Sequence, residues 1–525
     1  MAYKSFLLSA VFISAACAAF PAEVSINPDK TFQTIDNFAA ADAWSGNFVG
    51  QYFDTAQKER LAKWLFSRKL GADGNPEGIG LSMWRVNLGG GTFEQDGADI
   101  VPLQRRAESF LTKDGKGYDW GKCAGQRFFM KKAKEYGCEK FLLFSNTPPV
   151  QFTKNGKGYA DKGKFSANLK EDCYGKFADY LADAAKHFQD EGYNIAYISP
   201  INEPQGRWDS NRQEGSPWLC SEMKKCVVEL DRAISEKNVK TKILFGETAH
   251  PKYNYKYPED WHNKSNEQDP HFIIQKFFDK NGKFYIGDLK SVPKFIAGHS
   301  YHTHLRNSEM EKVHREIAKS AAKCDIGYHQ SEWCLLGAFK ARDMDGFTPD
   351  WQGGNRADIQ SALLMGRIIY SDFVNAAALS WGYWKAMEIN GDFALTSVYP
   401  KDGDLRKGGS VSANKLLWAL GNFSLFVRPQ YVRIELAGAD NLDGTAGVAF
   451  KSPDGRRIVA VFVNSSFSEE EVGVKFDGAR KDEIEKVAAF RTDANSDLAN
   501  VRVRSKDAFV IAPRSITTVV FDFKK

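Results

Sequence analysis

The stretch Ile195–Pro204, IAYISPINEP, decides how the rest of the chain reads. Its first half is apolar and β-prone. Its second half presents Asn202 and Glu203 beside Pro204. A carboxylate at the end of an apolar strand makes sense where strand ends gather round a pocket. Seven further runs share this layout: TIDNFAAADAW (34–44), GLSMWRVNLGG (80–90), KFLLFSNTPP (140–149), KILFGETA (242–249), FIAGHSYHTH (295–304), DIGYHQSEW (325–333) and ALSWGYW (378–384). Amphipathic stretches lie between them, such as TAQKERLAKWLFSRKL (55–70) and CYGKFADYLADAAKHFQDEG (173–192). In the latter, Phe177, Leu181, Ala184 and Ala185 recur at helical spacing. Eight strand–helix alternations without a G-x-G-x-x-G fingerprint predict a (β/α)8 TIM barrel of the α/β class.

The runs end on polar and aromatic residues: Asp42 and Trp44, Arg85 and Asn87, Ser145 and Asn146, Asn202 and Glu203, Glu247, His299 with Tyr301 and His302, Glu332 with Trp333, and Trp381 with Tyr383 and Trp384. In a barrel these positions form the C-terminal mouth, where active sites are built. After WALGNFSLFVRP the rhythm changes to short β-rich runs: YVRIEL, AGVAF, RIVAVFV, EVGVKF, KVAAFRT, NVRVR, AFVIA and SITTVVF. They predict an attached antiparallel β-sandwich. The expected organisation is a signal peptide over 1–22, a strand segment over 23–37 that joins the sandwich, a catalytic barrel over 38–415, and the sandwich over 416–525. Leu416, Leu417, Leu420 and Phe423, at helical spacing, offer an apolar dock between the two.

The opening MAYKSFLLSAVFISAACAAFPA has one Lys, an apolar run and a small-residue Ala16-Cys17-Ala18 end, which fits a secretory leader. The expected location is therefore extracellular or periplasmic. Cys17 permits a surface-lipoprotein alternative, against which Ser14 stands where an aliphatic residue is wanted. No later segment has about 18 uninterrupted apolar residues, so no membrane span is expected. The 525 residues are 43% hydrophobic, 13% aromatic and 26% charged, a globular composition. A net charge of +5 with no dense basic stripe gives no reason to expect nucleic-acid binding. Without Cys17, seven of the 8 cysteines remain. No zinc-type spacing is present and no metal or cofactor is expected. Cys220/Cys226 and Cys324/Cys334 are candidate disulfides. His302 and His304 alternate, which on a strand gives them one face; a hydrogen-bonding role is preferred to metal ligation.

Glu203 closes the fourth run and Glu332 the seventh, and a barrel brings both to one mouth. Glycosidic hydrolysis requires one carboxyl to donate a proton and another to act as nucleophile or base. Around them, Asn202 suits a sugar hydroxyl, Arg85 holds Glu332 ionised, and Tyr301 donates to the same carboxylate. Trp208, Trp333 and Trp381 offer flat faces for pyranose rings. Asp42, Glu214 and His299 complete the expected substrate-binding set.

The ordered set RVNLGGG, SNTPP, SPINEP, NRQEGSPW and HQSEW resembles glycoside hydrolase family 30 through nearly the whole mature chain, from TIDNFAAADAWS to VAVFVNSS. The resemblance implies a retaining clan with a (β/α)8 barrel and attached β-sandwich. It also implies that Glu203 is the acid/base and Glu332 the nucleophile. QEGSPW and ADAWS look most like the endo-β-1,6-galactanase and exo-xylanase branch. In that light Glu214 binds sugar or braces an arginine such as Arg207. One departure is that Asn37 and Ala39 stand where the family has a glycine-rich turn. The leading expectation is a secreted retaining glycosidase acting on β-linked polysaccharide, first on β-1,6-galactan side chains of arabinogalactan. The alternatives are xylan or β-1,6-glucan cleavage, a non-catalytic carbohydrate-binding protein on the same fold, and a surface scaffold. Sugar, linkage, endo or exo action and oligomeric state are not encoded legibly. Specificity is expected to depend on the loops Trp208 to Trp218 and Gly337 to Trp351.

Overall fold

The computed structural model describes residues 22–524, except 98, 258–266, 305, 337–344, 347–357, 392–393, 479–482 and 504. The leader with Cys17, and most of the loop Gly337 to Trp351, lie outside the described residues. All eight barrel runs form strands: β1 (Asn37–Ala41), β2 (Met83–Asn87), β3 (Lys140–Phe144), β4 (Ile195–Ser199), β5 (Lys242–Ile243), β6 (Phe295–His299), β7 (Gly327–Glu332) and β8 (Ala378–Tyr383). They pair in parallel from β5 back to β1, then through β8 and β7 to β6. The ring closes where the Phe245 and Thr248 carbonyls accept from the Ala297 and His299 N–H groups, at 2.8 and 2.9 Å.

Helices α1 (Ser45–Tyr52) and α2 (Thr55–Phe66) follow β1. The helices α3 (Ala124–Glu135), α4 (Tyr174–Asp190), α5 (Cys220–Glu236), α6 (Ile273–Phe278), α7 (Asn307–Lys323) and α8 (Ile359–Val374) follow β2 to β7 in turn. In α4 the expected stripe Phe177, Leu181, Ala184 and Ala185 is buried, as one apolar face must be when a helix lies on a sheet. Inside the barrel, Ala39, Met83, Leu142, Tyr197, Leu244 and Ala297 pack together. Side chains alternate along a strand, so Arg85 and His299, two residues beyond Met83 and Ala297, face the same interior one layer nearer the mouth. Neither Asn37 nor Ala39 takes a positive φ. The first strand is plainly extended there and needs no glycine.

Each expected sandwich run contains a strand, although in NVRVR the strand stops at Val501 and Arg504 lies outside the described residues. These strands join one nine-stranded sheet that wraps around a core including Val24, Ile26, Ile434, Phe462, Val474 and Phe521. The N-terminal strand Ala22–Thr34 runs antiparallel to Val432–Ala437 and parallel to Glu470–Phe476, and so bends the sheet. Between barrel and sandwich lies α9 (Lys415–Ser424), whose Leu416, Leu417, Leu420 and Phe423 are buried. Its Asn422 donates to the Phe490 carbonyl and Thr518, and Ser424 donates to the Ile79 carbonyl on the barrel side. A three-stranded sheet (Lys385–Ile389, Ala394–Pro400, Gly409–Ala413) follows β8 and was not expected.

Two further expectations are corrected. Among the described residues, none of the cysteines from Cys123 to Cys334 is in a disulfide. Cys220 and Cys226 lie six residues apart on α5, on different faces and about 9 Å apart along its axis. Cys324 and Cys334 flank β7 at opposite ends of the barrel. Neither pair fits disulfide geometry. The strand in FIAGHSYHTH ends at His299, so His302 and His304 share no face: His302 is exposed and His304 buried. Among the described residues no helix is long and apolar enough to cross a membrane.

Candidate active site

The site begins with β7. Its pairing with β6 runs in register to Gly298↔Gln330 and then skips to His299↔Glu332. The extra residue is Ser331. Such a bulge re-aims the side chains around it, and here both Ser331 and Glu332 reach the barrel interior. Glu203 and Glu247 lie beyond the ends of β4 and β5, with φ of +44° and +42°. Non-glycine residues in that region cost about 1–3 kcal/mol each and persist where surroundings over-determine them. Here the Glu203 N–H donates to the Glu247 carbonyl at 2.9 Å.

Arg85 is the hub. Its Nη1 donates to Glu332 Oε2 at 2.5 Å; its Nη2 lies 3.1 Å from Asn202 Oδ1 and 3.2 Å from Glu247 Oε2. The guanidinium lies over the Phe144 ring, 3.7 Å from its centroid, which keeps the fork in plane. Tyr301 Oη donates to the other Glu332 oxygen at 2.8 Å. His299 spans the cluster, with Nδ1 2.9 Å from Glu203 Oε1 and Nε2 2.7 Å from Glu247 Oε2. Ser331 Oγ adds a 3.0 Å bond to Glu247 Oε2.

The electrostatics follow from burial and charge. Burial alone lowers an imidazole's pKa, but Glu332, Glu203 and Glu247 outweigh it and push His299 up to about 10. Burial likewise raises Glu247, yet Arg85 and His299 reverse this and hold it at about 2. Burial raises Glu332; His299 and Arg85 oppose that rise, while Glu203 and Glu247 add to it. Two cations thus face three carboxyls, and the cluster is neutral when one carboxyl carries a proton. Donor atoms of Glu203, His299 and Glu332 lie within 4.8 Å of one another, close enough to hold a cation. An imidazolium donating from both nitrogens has no lone pair for a metal. The donor set therefore suits proton handling.

The other expected residues divide. Trp208 is half-buried, with its Nε1 donating to the Glu203 carbonyl at 2.9 Å. A Cβ on Gly206 or Gly215 would come within 2.2 or 2.4 Å of its indole, so both glycines make its seat. Trp333 and Trp381 are 0% exposed and present no open face; the Trp381 Nε1 donates to Asp372 at 2.9 Å. Asp42 is buried beneath the mouth, accepting from the Asn87 N–H at 2.9 Å and Gln126 at 3.0 Å, and burial pushes it up to about 7. Glu214 neither faces the pocket nor braces Arg207. It accepts from the Gly90 N–H at 2.9 Å and Thr92 Oγ1 at 2.6 Å, pinning the loop after β2. Its carboxyl, also buried, is raised to about 7.

Glu247 is the residue that sequence reasoning left without a role. Its signal was present: a lone carboxylate at the end of the fifth run. What could not be read was that His299 would join it to Glu203. Trp44 and Trp384, both buried, pack edge to face at 5.4 Å, with the Arg85 guanidinium 5.8 Å from the Trp384 ring and the Arg105 guanidinium 4.7 Å from that of Trp44.

The chain belongs to O-glycosyl hydrolase family 30, whose family model matches residues 21–399. An endo-beta-1,6-galactanase from Hypocrea rufa is 26% identical over 238 residues, 41% of this chain and 47% of that one. The matched regions span less than half the length of the curated relatives. A conserved exported protein from Bacteroides fragilis, known by crystal structure, superposes with a TM-score of 0.86 at 30% identity, covering 95% of this chain and 99% of that one. The catalytic domain of a family 30 xylanase C from Talaromyces cellulolyticus shares the fold at a TM-score of 0.65 and 19% identity, covering 95% and 99%.

Proposed function

We propose that the protein is a secreted retaining glycoside hydrolase cleaving β-linked polysaccharide, with Glu332 as nucleophile and Glu203 as general acid/base. The observation that carries this reading is a distance. Carboxyl oxygens of Glu203 and Glu332 lie within 4.8 Å of each other. Retaining enzymes hold the pair about 5–5.5 Å apart, whereas inverting enzymes leave about 6.5–9.5 Å for a water. Glu332 attacks the anomeric carbon while Glu203 gives its proton to the leaving oxygen. Water then releases the sugar from Glu332, losing its proton to Glu203.

The network serves this sequence. Arg85 and Tyr301 take up both oxygens of Glu332 and fix its attack direction. Asn202 spends its Oδ1 on Arg85, leaving its amide NH2 to donate to a sugar hydroxyl. His299 orients Glu203, and Glu247 keeps His299 a double donor. Trp208 supplies an apolar platform. The first substrate reading is β-1,6-galactan, supported by the similarity to the fungal endo-beta-1,6-galactanase. Xylan and β-1,6-glucan stand next.

Reducing-end release from β-1,6-galactan, β-1,6-glucan, arabinoxylan and glucuronoxylan tests the reading. One of these glycans should be cleaved, and Glu332→Gln should lose that activity by at least about 10³-fold while its fold is kept. Binding without release across the whole panel would favour a carbohydrate-binding protein instead.

A further inference from the structure

A groove of about 530 Å³ lies where α2, the end of α3 and α9 meet, and Trp64, Tyr136 and Trp418 line it. Barrel helices run back antiparallel to the strands, so the last turns of α2 and α3 lie at the end opposite the mouth. Five-residue strands such as β2 set the two ends about 17 Å apart. The groove therefore shares no residue with the catalytic cluster and does not touch the sugar being cleaved.

Its aromatic rings lack partners. Four tryptophans among the described residues are half-buried. Trp120 stacks on His187 with ring centroids 4.0 Å apart, and Trp208 donates to the Glu203 carbonyl. Trp64 and Trp418 do neither. Each packs against the core, and among the described residues neither has a ring neighbour, an overlying cation or an acceptor for its N–H. The Tyr136 hydroxyl is likewise without a partner among them. The charges in the wall are matched. Lys63 pairs with Glu77 at 2.9 Å, and Glu59 with Lys132 at 2.8 Å. Only the exposed Arg60 has no carboxylate within 4.0 Å among the described residues. One surplus cation on an exposed arm gives an anionic polymer little hold, and an apolar protein surface would strand the charged groups. Flat faces beside hydrogen-bonding groups of balanced charge suit a neutral pyranose. Its C–H face stacks on an indole, and its hydroxyls take the N–H, O–H and guanidinium donors.

We propose that this groove is a second glycan-binding site, where a neutral stretch of the polysaccharide stacks on Trp64 and Trp418 and bonds to Tyr136 and Arg60. It takes its sugar class from the glycosidase reading and goes beyond it, because the groove holds chain that is not being cleaved. Two sites on one polymer raise the local concentration of substrate at the mouth, so the groove matters for long chains and not for short ones.

Trp64→Ala/Trp418→Ala should raise KM on the polymer that the parent cleaves by at least about fivefold, and leave kcat and the hydrolysis of short oligosaccharides unchanged within about twofold. Circular dichroism checks the fold. A second measurement keeps the groove intact. Glu332→Gln is labelled with fluorotryptophan, and its Trp64, Trp418 and Trp208 fluorine resonances are assigned with Trp64→Phe, Trp418→Phe and Trp208→Phe. Oligosaccharides of β-1,6-galactan, β-1,6-glucan, arabinoxylan and glucuronoxylan are then added in turn. With one of them the Trp64 and Trp418 resonances should shift saturably, and should still do so when Trp208→Ala is present. If the parent cleaves a glycan that moves neither Trp64 nor Trp418, this inference fails and the glycosidase reading stands. Shifts at Trp64 and Trp418 that follow protein concentration instead of glycan make the groove a contact between copies and overturn it too. If no glycan is cleaved and none moves any of the three resonances, both readings fail.

Discussion

Replacing Glu247 by Gln keeps the shape of a buried side chain and removes its charge. Its Oε2 accepts from Arg85, His299 and Ser331 at 3.2, 2.7 and 3.0 Å. At an effective dielectric of about 20, losing one unit charge about 4 Å away is worth about 4 kcal/mol, or about three pKa units. The His299 imidazolium, held near 10 in the parent, should then lose its proton near neutrality. The sign is that of a base whose raised pKa depends on acidic neighbours: the doubly donating form exists below the folded pKa and disappears above it. Arg85 and Ser331 donate to the atom of residue 247 that faces His299 and so keep it an oxygen, and a neutral imidazole, with one N–H, cannot donate to that oxygen and to Glu203 together. A hydrogen bond to a charged group is worth about 1.5–3 kcal/mol, so kcat/KM on substrates with poor leaving groups should fall about 10- to 150-fold above pH 7. Below pH 6 the loss should be much smaller. The assay is a pH profile of kcat/KM from pH 5 to 9 for parent and variant, with circular dichroism to confirm folding. A loss that is the same at every pH would refute the reasoning, since it would make Glu247 a packing residue only.

Trp208→Ala should lower kcat/KM about tenfold, mostly through KM, because an aromatic platform contributes about 0.5–1.5 kcal/mol beyond area burial; unchanged KM on every cleaved glycan would remove Trp208 from the site. Asp42 is held up to about 7 by burial, so the unfolded chain releases that proton first and stability falls as pH rises from about 4 to 7. Asp42→Asn removes the titration. Relative to the parent it should gain about 2.5 kcal/mol between pH 5 and pH 8 by denaturant unfolding, and a pH-independent difference would contradict the assignment. A Cβ on Gly125 would sit 1.8 Å from the Asn47 carbonyl oxygen, where α1 and α3 touch backbone to backbone. Gly125→Ala should cost about 3 kcal/mol, read as a lowered Tm; an unchanged Tm would mean that the two helices separate at little cost.

The barrel was legible because each strand announces itself twice, by an apolar first half and a polar end, and because helical spacing returns between strands. The paired glutamates were legible for the same reason: Glu203 and Glu332 end runs whose interiors are apolar. Trp381 and Trp333 show where this logic stops. A residue at a strand end points either into the mouth or outward under the loops, and period-two alternation settles which only once register is known. The skip in pairing at Ser331 is invisible in one sequence, yet it turns Glu332 inward. Asp42 and Glu214 failed differently. A carboxyl that satisfies backbone N–H groups of a neighbouring loop has the same sequence signature as one that binds a ligand. The disulfide expectation failed because proximity in sequence says nothing about the ends of a strand or the faces of a helix.

The central claim is that Glu203 and Glu332 work as a retaining pair, and it rests on oxygens within 4.8 Å of each other. Proton NMR of the first-formed sugar from whichever β-linked glycan is cleaved tests this most directly. The β-anomer should appear first, and the α-anomer should grow only as mutarotation proceeds. Initial release of the α-anomer would mean that water, not Glu332, attacks the anomeric carbon, and the mechanism proposed here would be wrong.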